Sequence, residues 1–121
     1  PESTGPLDLL LVAYGISARV AATALERLAA RGVAAALCRP ISLFPFPSGA
    51  IARAAARARA VLVVEMSAGQ MLEDVDLALQ GRRPIRFLGR QGGLLVMPED
   101  VVDAAMACFE DVVAAQEAAH V

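Results

Sequence analysis

Apolar residues in this chain gather either in short unbroken runs or in stripes at helical spacing, and the two patterns alternate from one end to the other. Leu9-Leu10-Leu11-Val12-Ala13 is a continuous run, the pattern of a strand covered by helices on both faces. Val20, Ala21, Ala24, Leu25 and Leu28 then recur every three or four positions, with Arg19, Glu26, Arg27 and Arg31 elsewhere. That spacing predicts an amphipathic helix with Ser17 as its N-cap and Gly32 at its end. Residues 33–38 read as a second strand, although three consecutive alanines favour a helix as much as a strand. The prolines from Pro40 to Pro47 exclude a helix, and Pro47-Ser48 opens one over residues 48–58. Val61-Leu62-Val63-Val64 is the clearest strand of all. Gly69-Gln70 starts a helix with Leu72, Val75 and Leu79 on one face, Glu73, Asp74 and Asp76 near its beginning and Gly81 at its end. Residues 84–88 make a short last strand. Pro98-Glu99-Asp100 begins a final helix towards His120, with Val102, Ala105, Met106, Phe109 and Val113 as its stripe.

Strands alternating with helices imply parallel strands joined by right-handed crossovers, so the expected fold class is α/β: a three-layer α/β/α arrangement around a mainly parallel four-stranded sheet. With 121 residues the chain is one domain's worth, here residues 8–119, preceded by a linker over residues 1–7. That linker, which begins Pro-Glu-Ser-Thr-Gly-Pro, has neither the basic region nor the apolar core of a signal peptide. Hydrophobic residues make up 57% and charged residues 20%, more apolar than an ordinary domain of this size. The uncharged stretches, residues 9–16 and 40–52, are too short or too broken by proline for a bilayer, which needs about 20 apolar residues. No membrane span is expected, and the surplus apolar surface belongs either to an interface with other parts of a larger protein or simply to alanine-rich helices, the interface being favoured. Formal net charge is −2 and the eleven basic residues, all arginine, are dispersed, which leaves no footprint for nucleic acid. Cys38 and Cys108 lie far apart with no CxxC and no neighbouring histidine, so they read as buried free thiols of a cytoplasmic protein and not as a metal site or redox dithiol.

Candidate chemistry collects in the loops that leave the strands' carboxyl ends, where open α/β sheets hold ligands and partners. Tyr14-Gly15-Ile16-Ser17 is either a turn that admits an anion to backbone N–H groups or a tight turn and nothing more; it lacks the G-x-G-x-x-G of a dinucleotide site. Arg39 with the Pro-Phe-Pro loop presents Phe44 and Phe46 on a stiff segment, as a docking surface or as a connector packing its own rings. Glu65 is either an acid–base group in a cleft or, as is commoner, a carboxylate that caps a helix or pairs with arginine; Gln70 has the same standing. Gly89-Arg90-Gln91-Gly92-Gly93 reads as an interface loop, since no Lys-Ser/Thr helix follows to make a phosphate site. His120 is assigned no role.

Four segments taken in order carry a resemblance: Val12-Ala13-Tyr14-Gly15; Arg39-Pro40-Ile41-Ser42-Leu43-Phe44-Pro45-Phe46-Pro47; residues 63–75, reading Val-Val-Glu-Met-Ser-Ala-Gly-Gln-Met-Leu-Glu-Asp-Val; and Gly89-Arg90-Gln91-Gly92-Gly93. Over residues 8–113 the chain resembles the last domain (core domain II) of the α subunit of 2-oxoacid:ferredoxin oxidoreductases. The first segment and Arg-Pro-Ile also occur loosely in transketolases and pyruvate dehydrogenase β subunits, while the third and fourth narrow the resemblance to the ferredoxin-linked branch. The Pro-Phe-Pro variant is similar to the 2-oxoglutarate and branched-chain members.

The resemblance implies a transketolase C-terminal-like fold with strand order 2-1-3-4. The family's sheet carries an antiparallel strand before these four, for which residues 1–7 leave no room, so a fragment with a bare sheet edge is expected. In that order the topological switch brings Tyr14, Gly15 and Ser17 near Glu65, Ser67 and Gln70 as the crevice for any small ligand. The implied parent complex uses thiamine diphosphate, magnesium, an iron–sulfur cluster and coenzyme A to convert a 2-oxoacid to acyl-CoA and CO2 while reducing ferredoxin. The diphosphate site, metal ligands and cluster cysteines belong to other domains, so no catalytic, cofactor-binding or metal residue is carried over and the isolated fragment is expected to be inactive. What remains is an assembly role, with Arg39, Phe44, Phe46 and Arg90 facing other α-subunit domains and the thiamine-diphosphate-binding β subunit, and ferredoxin reached through the complex. The alternatives are a ligand-binding module for an acyl, coenzyme A or other small anion at the crevice, and the equivalent domain of another transketolase-like enzyme.

Overall fold

The computed structural model describes residues 5–41, 45–65, 70–89 and 96–119. Strands and helices alternate as β1 (Leu7–Ala13), α1 (Ile16–Ala30), β2 (Ala35–Cys38), α2 (Ser48–Ala55), β3 (Ala58–Glu65), α3 (Gln70–Leu79), β4 (Ile85–Gly89) and α4 (Pro98–Ala119). The four strands form one sheet in the order β2-β1-β3-β4, every pair parallel. In register, Leu9 to Val12 lie beside Ala35 to Cys38 on one flank and beside Ala60 to Val63 on the other.

The unbroken apolar runs of β1 and β3 are explained by their central places. Leu9, Leu11, Ala13, Ala60, Leu62 and Val64 face α1 and α4, while Leu10, Val12, Val61 and Val63 face α2 and α3. Each such Leu or Val removed from water contributes about 1.5–3 kcal/mol. All four residues of β2 are only half-buried, because it is an edge strand. Its alanines are extended because Asp8 fixes the start of the pairing: one carboxylate oxygen accepts the Ala34 N–H at 2.8 Å.

The helix ends follow their local chemistry with one exception. At the end of α1, the Val33 N–H reaches the Leu28 carbonyl and the Gly32 N–H that of Ala29, with Gly32 at φ 81°, a Schellman motif closed by Val33 against Leu28. At the start of α4, Asp100 accepts the Met97 N–H at 2.8 Å, half of a capping box around the Pro98 turn. The exception is Ser17, which does not cap α1. Gly15 is the N-cap, at φ 65° and ψ −132°, with no side-chain cap. Ser17 lies two residues further in, inside the first turn, on the buried stripe with Ala18, Ala21, Ala24 and Leu28. Several boundaries also move: β1 begins at Leu7, β2 begins at Ala35, α2 stops at Ala55, β4 runs one residue later, and β3 begins at Ala58 because the Arg57 carbonyl already bonds the Leu7 N–H. No helix among the described residues is long and apolar enough to cross a membrane.

Candidate functional site

The switch point lies where β1 and β3 end side by side, Ala13 against Val64. Beyond it the chain turns away through Tyr14, 44% exposed, and Ile16, 63% exposed; the loop after β2 adds Ile41, 94% exposed. Three large apolar side chains therefore stand in water at the carboxyl rim of the sheet. Gly15 sits between Tyr14 and Ile16 in a backbone conformation that L-residues rarely adopt, with open space where a Cβ would go, so conformation and not crowding selects glycine there.

Glu65 is the strand-end carboxylate. It is 8% exposed, and its two oxygens accept the N–H groups of Met71 and Leu72 at 3.1 Å each. These are orphan donors in the first turn of α3, so the side chain caps that helix and places negative charge at its positive end. Alternation along β3 puts Glu65 on the α2/α3 face, whereas Ser17, 2% exposed, belongs to the α1/α4 face. The turn after β1 and the end of β3 are neighbours, but Ser17 and Glu65 are on opposite sides of the sheet. Gln70 opens α3.

Arg39 is exposed and lines two grooves beside β2, one of about 320 Å³ with Pro40, Ile41 and Pro45, the other of about 310 Å³ with Leu10, Ala36 and Arg57. Phe46 is half-buried and packs on the core beneath α2 and α3, so its ring has an internal partner. Phe44, Ser67, Arg90 and His120 lie outside the described residues. Cys38 is half-buried on the α2 face and Cys108 is buried on the α4 face, both as free thiols. Burial pushes both thiols up; at Cys108 Arg86 opposes the shift and Asp111 adds to it. Among the described residues no three His, Cys, Asp or Glu side chains converge as a metal site would require.

Sequence reasoning missed Ile16 and Ile41 as exposed positions. The available signal was an isoleucine immediately beyond a strand, next to glycine or proline, where no helical stripe or strand alternation gives it an inward face.

Residues 8–101 match the family model described as pyruvate:ferredoxin oxidoreductase core domain II. The chain belongs to this family. It is 45% identical over 96 residues to the ketoisovalerate oxidoreductase subunit VorB of Methanothermobacter thermautotrophicus, covering 79% of this chain and 27% of that protein. It is 37% identical over 100 residues to the 2-oxoglutarate synthase subunit KorA of Archaeoglobus fulgidus, covering 82% of this chain and 28% of that one. The 2-oxoglutarate:ferredoxin oxidoreductase of Magnetococcus marinus, solved with 2-oxoglutarate, coenzyme A and succinyl-CoA bound, superimposes with a TM-score of 0.77 at 25% identity, over 90% of this chain and 19% of that one. An inactive β4 tetramer of a split-gene transketolase shares the fold, with a TM-score of 0.75 at 24% identity, over 87% of this chain and 39% of that one. This core domain II is thus a domain of a 2-oxoacid:ferredoxin oxidoreductase subunit with a transketolase-like sheet, and it spans just over a quarter of the relatives' length.

Proposed function

We propose that this core domain II is a non-catalytic assembly element of the α subunit of a 2-oxoacid:ferredoxin oxidoreductase, seated against its neighbours through the carboxyl rim. The observation that carries the reading is the rim itself: Tyr14, Ile16 and Ile41 are each exposed just beyond a strand's carboxyl end, while the Glu65 carboxylate is already committed to the backbone of α3. Aromatic and aliphatic anchors of this kind supply interface energy once a partner excludes water, whereas an acid–base group must be free to exchange a proton with substrate. Arg39 adjoins this rim and extends the docking surface, with Phe44 and Arg90 assigned to it from the sequence.

The parent complex would oxidatively decarboxylate a 2-oxoacid, of the 2-oxoglutarate or branched-chain type, to acyl-CoA and CO2 while passing electrons to ferredoxin. The names of the VorB and KorA relatives support that substrate class. Thiamine diphosphate, magnesium and the iron–sulfur cluster are assigned to other parts of the complex. A cluster takes four thiolates, while this chain has two cysteines, on opposite faces of its sheet. The partners are the remaining α-subunit domains and the thiamine-diphosphate-binding β subunit, in a cytoplasmic setting consistent with free thiols.

The test is a Tyr14→Ala/Ile16→Ser double variant in the full complex, followed by size exclusion and by 2-oxoacid turnover with coenzyme A and a viologen dye. Losing two anchors should weaken assembly by about 2–4 kcal/mol, with turnover per assembled complex unchanged. An intact complex with reduced turnover would overturn the reading in favour of a ligand-binding crevice.

A further inference from the structure

The opposite end of the sheet carries a second surface. Val112, Ala115 and Ala119, on one face of the last turns of α4, stand across a groove of about 460 Å³ from Arg59, Arg82 and Arg83 at the amino ends of β3 and β4. The groove pairs a small-residue apolar wall with a cationic one. Arg83 donates to the carbonyls of Ala58 at 2.7 Å, Arg82 at 2.8 Å and Ala56 at 2.9 Å, which are neutral acceptors. Arg82 itself reaches the neutral amide of Gln80 at 3.3 Å. Arg59 is 3.8 Å from Asp8, whose second oxygen already holds the Ala34 N–H. The carbonyl ends of α2 and α3 offset part of this positive charge, but Arg83 already serves the end of α2, and Arg59 and Arg82 remain on the groove wall.

Both ends of the described chain emerge at this end. The Gly5 carbonyl accepts from the Arg57 guanidinium at 3.0 Å, just before β3, and Ala119 is itself part of the groove wall. The matched region is 27–28% of the VorB and KorA relatives, so in a parent of that length most of the polypeptide lies outside this domain and is joined to it through one or both of these neighbouring ends. A segment tethered so close docks at high effective concentration and needs little intrinsic affinity.

We propose that the groove between the last turns of α4 and the amino ends of β3 and β4 receives an acidic segment from the remainder of the same polypeptide, its apolar side chains on Val112 and Ala115 and its carboxylates on Arg59 and Arg82. The proposal rests on the reading of this chain as one domain of a larger subunit, and is independent of the rim as an interface. Thiol labelling of the isolated full-length subunit, in a Cys38→Ser background, tests it. Ala115→Cys in the groove should label with a maleimide at least tenfold more slowly than Ala114→Cys on the neighbouring exposed face. Arg82→Glu, or 1 M salt, should bring the Ala115→Cys rate to within twofold of the control, while Arg82→Lys should keep the protection. Equal rates at the two positions would overturn the proposal. So would protection indifferent to charge and salt, or protection that appears only when other subunits are added. The Tyr14→Ala/Ile16→Ser variant should leave this protection unchanged, so failure at the rim and failure at the groove are read separately.

Discussion

Glu65 shows how one side chain acquires its role from its surroundings. A buried carboxylate accepting two helix N–H groups makes charge-assisted hydrogen bonds, and its removal leaves two donors of α3 without that partner. Glu65→Ala should therefore destabilise the chain by about 2–3 kcal/mol, and Glu65→Gln, which keeps one acceptor oxygen, by about half as much, in urea unfolding. A loss below about 0.5 kcal/mol for Glu65→Ala would mean that the cap is dispensable. The thiols act through pH. Cys38 and Cys108 have pKa values raised by burial, so the folded chain holds their protons more tightly than the unfolded chain does. Their contribution is fully present below the ordinary thiol value of 9.0 and is lost as pH rises through the higher folded value. Stability should fall above pH 9, and a Cys38→Ser/Cys108→Ala variant should show a shallower alkaline loss in a pH series of thermal unfolding.

At the scale of elements, the cost of a substitution depends on which strand carries it. Leu62 in β3 is fully buried between two strands and beneath α1 and α4, whereas Leu37 in β2 is half-buried at the sheet's edge. Leu62→Ala should cost about 3–5 kcal/mol and Leu37→Ala about 1–2 kcal/mol, since the edge site was already partly hydrated and relaxes more easily. Equal losses in denaturant titrations would mean that the edge is covered in solution. The same strand also carries a liability: Ala35 to Cys38 is wholly apolar, without the lysine or proline that usually protects an edge.

For the whole molecule, the two ends of the sheet have different physics. The carboxyl rim exposes Tyr14, Ile16 and Ile41, and assembly through it should depend little on salt because apolar burial is not screened. The amino end carries arginines with few local carboxylates, and docking there should weaken as salt shortens the Debye length from about 10 Å at 0.1 M to about 3 Å at 1 M. Size exclusion of the complex and thiol labelling of the subunit, each run at both ionic strengths, separate the two. A domain that held its neighbours by one kind of surface would respond alike in both.

Hydrophobic period, together with glycine and proline as punctuation, determined the order of elements. The continuous runs at 9–13 and 61–64, the stripe from Val20 to Leu28, Gly32 and Pro98 are local signals, and local signals suffice where steric and capping chemistry act within a turn or two. The family followed from longer segments such as residues 63–75, whose spacing a generic α/β pattern does not require. Tertiary structure alone decided the rest. Ala35 and Ala36 became extended because β1 was there to pair with them, and Ser17 turned inward because Gly15 had already opened the helix. Glu65 became a cap because β3 and α3 meet at its carboxylate, while Arg59, Arg82 and Arg83 drew together from two segments more than twenty residues apart. Exposure and electrostatics are properties of neighbours, and in a sheet ordered β2-β1-β3-β4 the neighbours are set by crossovers that no local window of sequence contains.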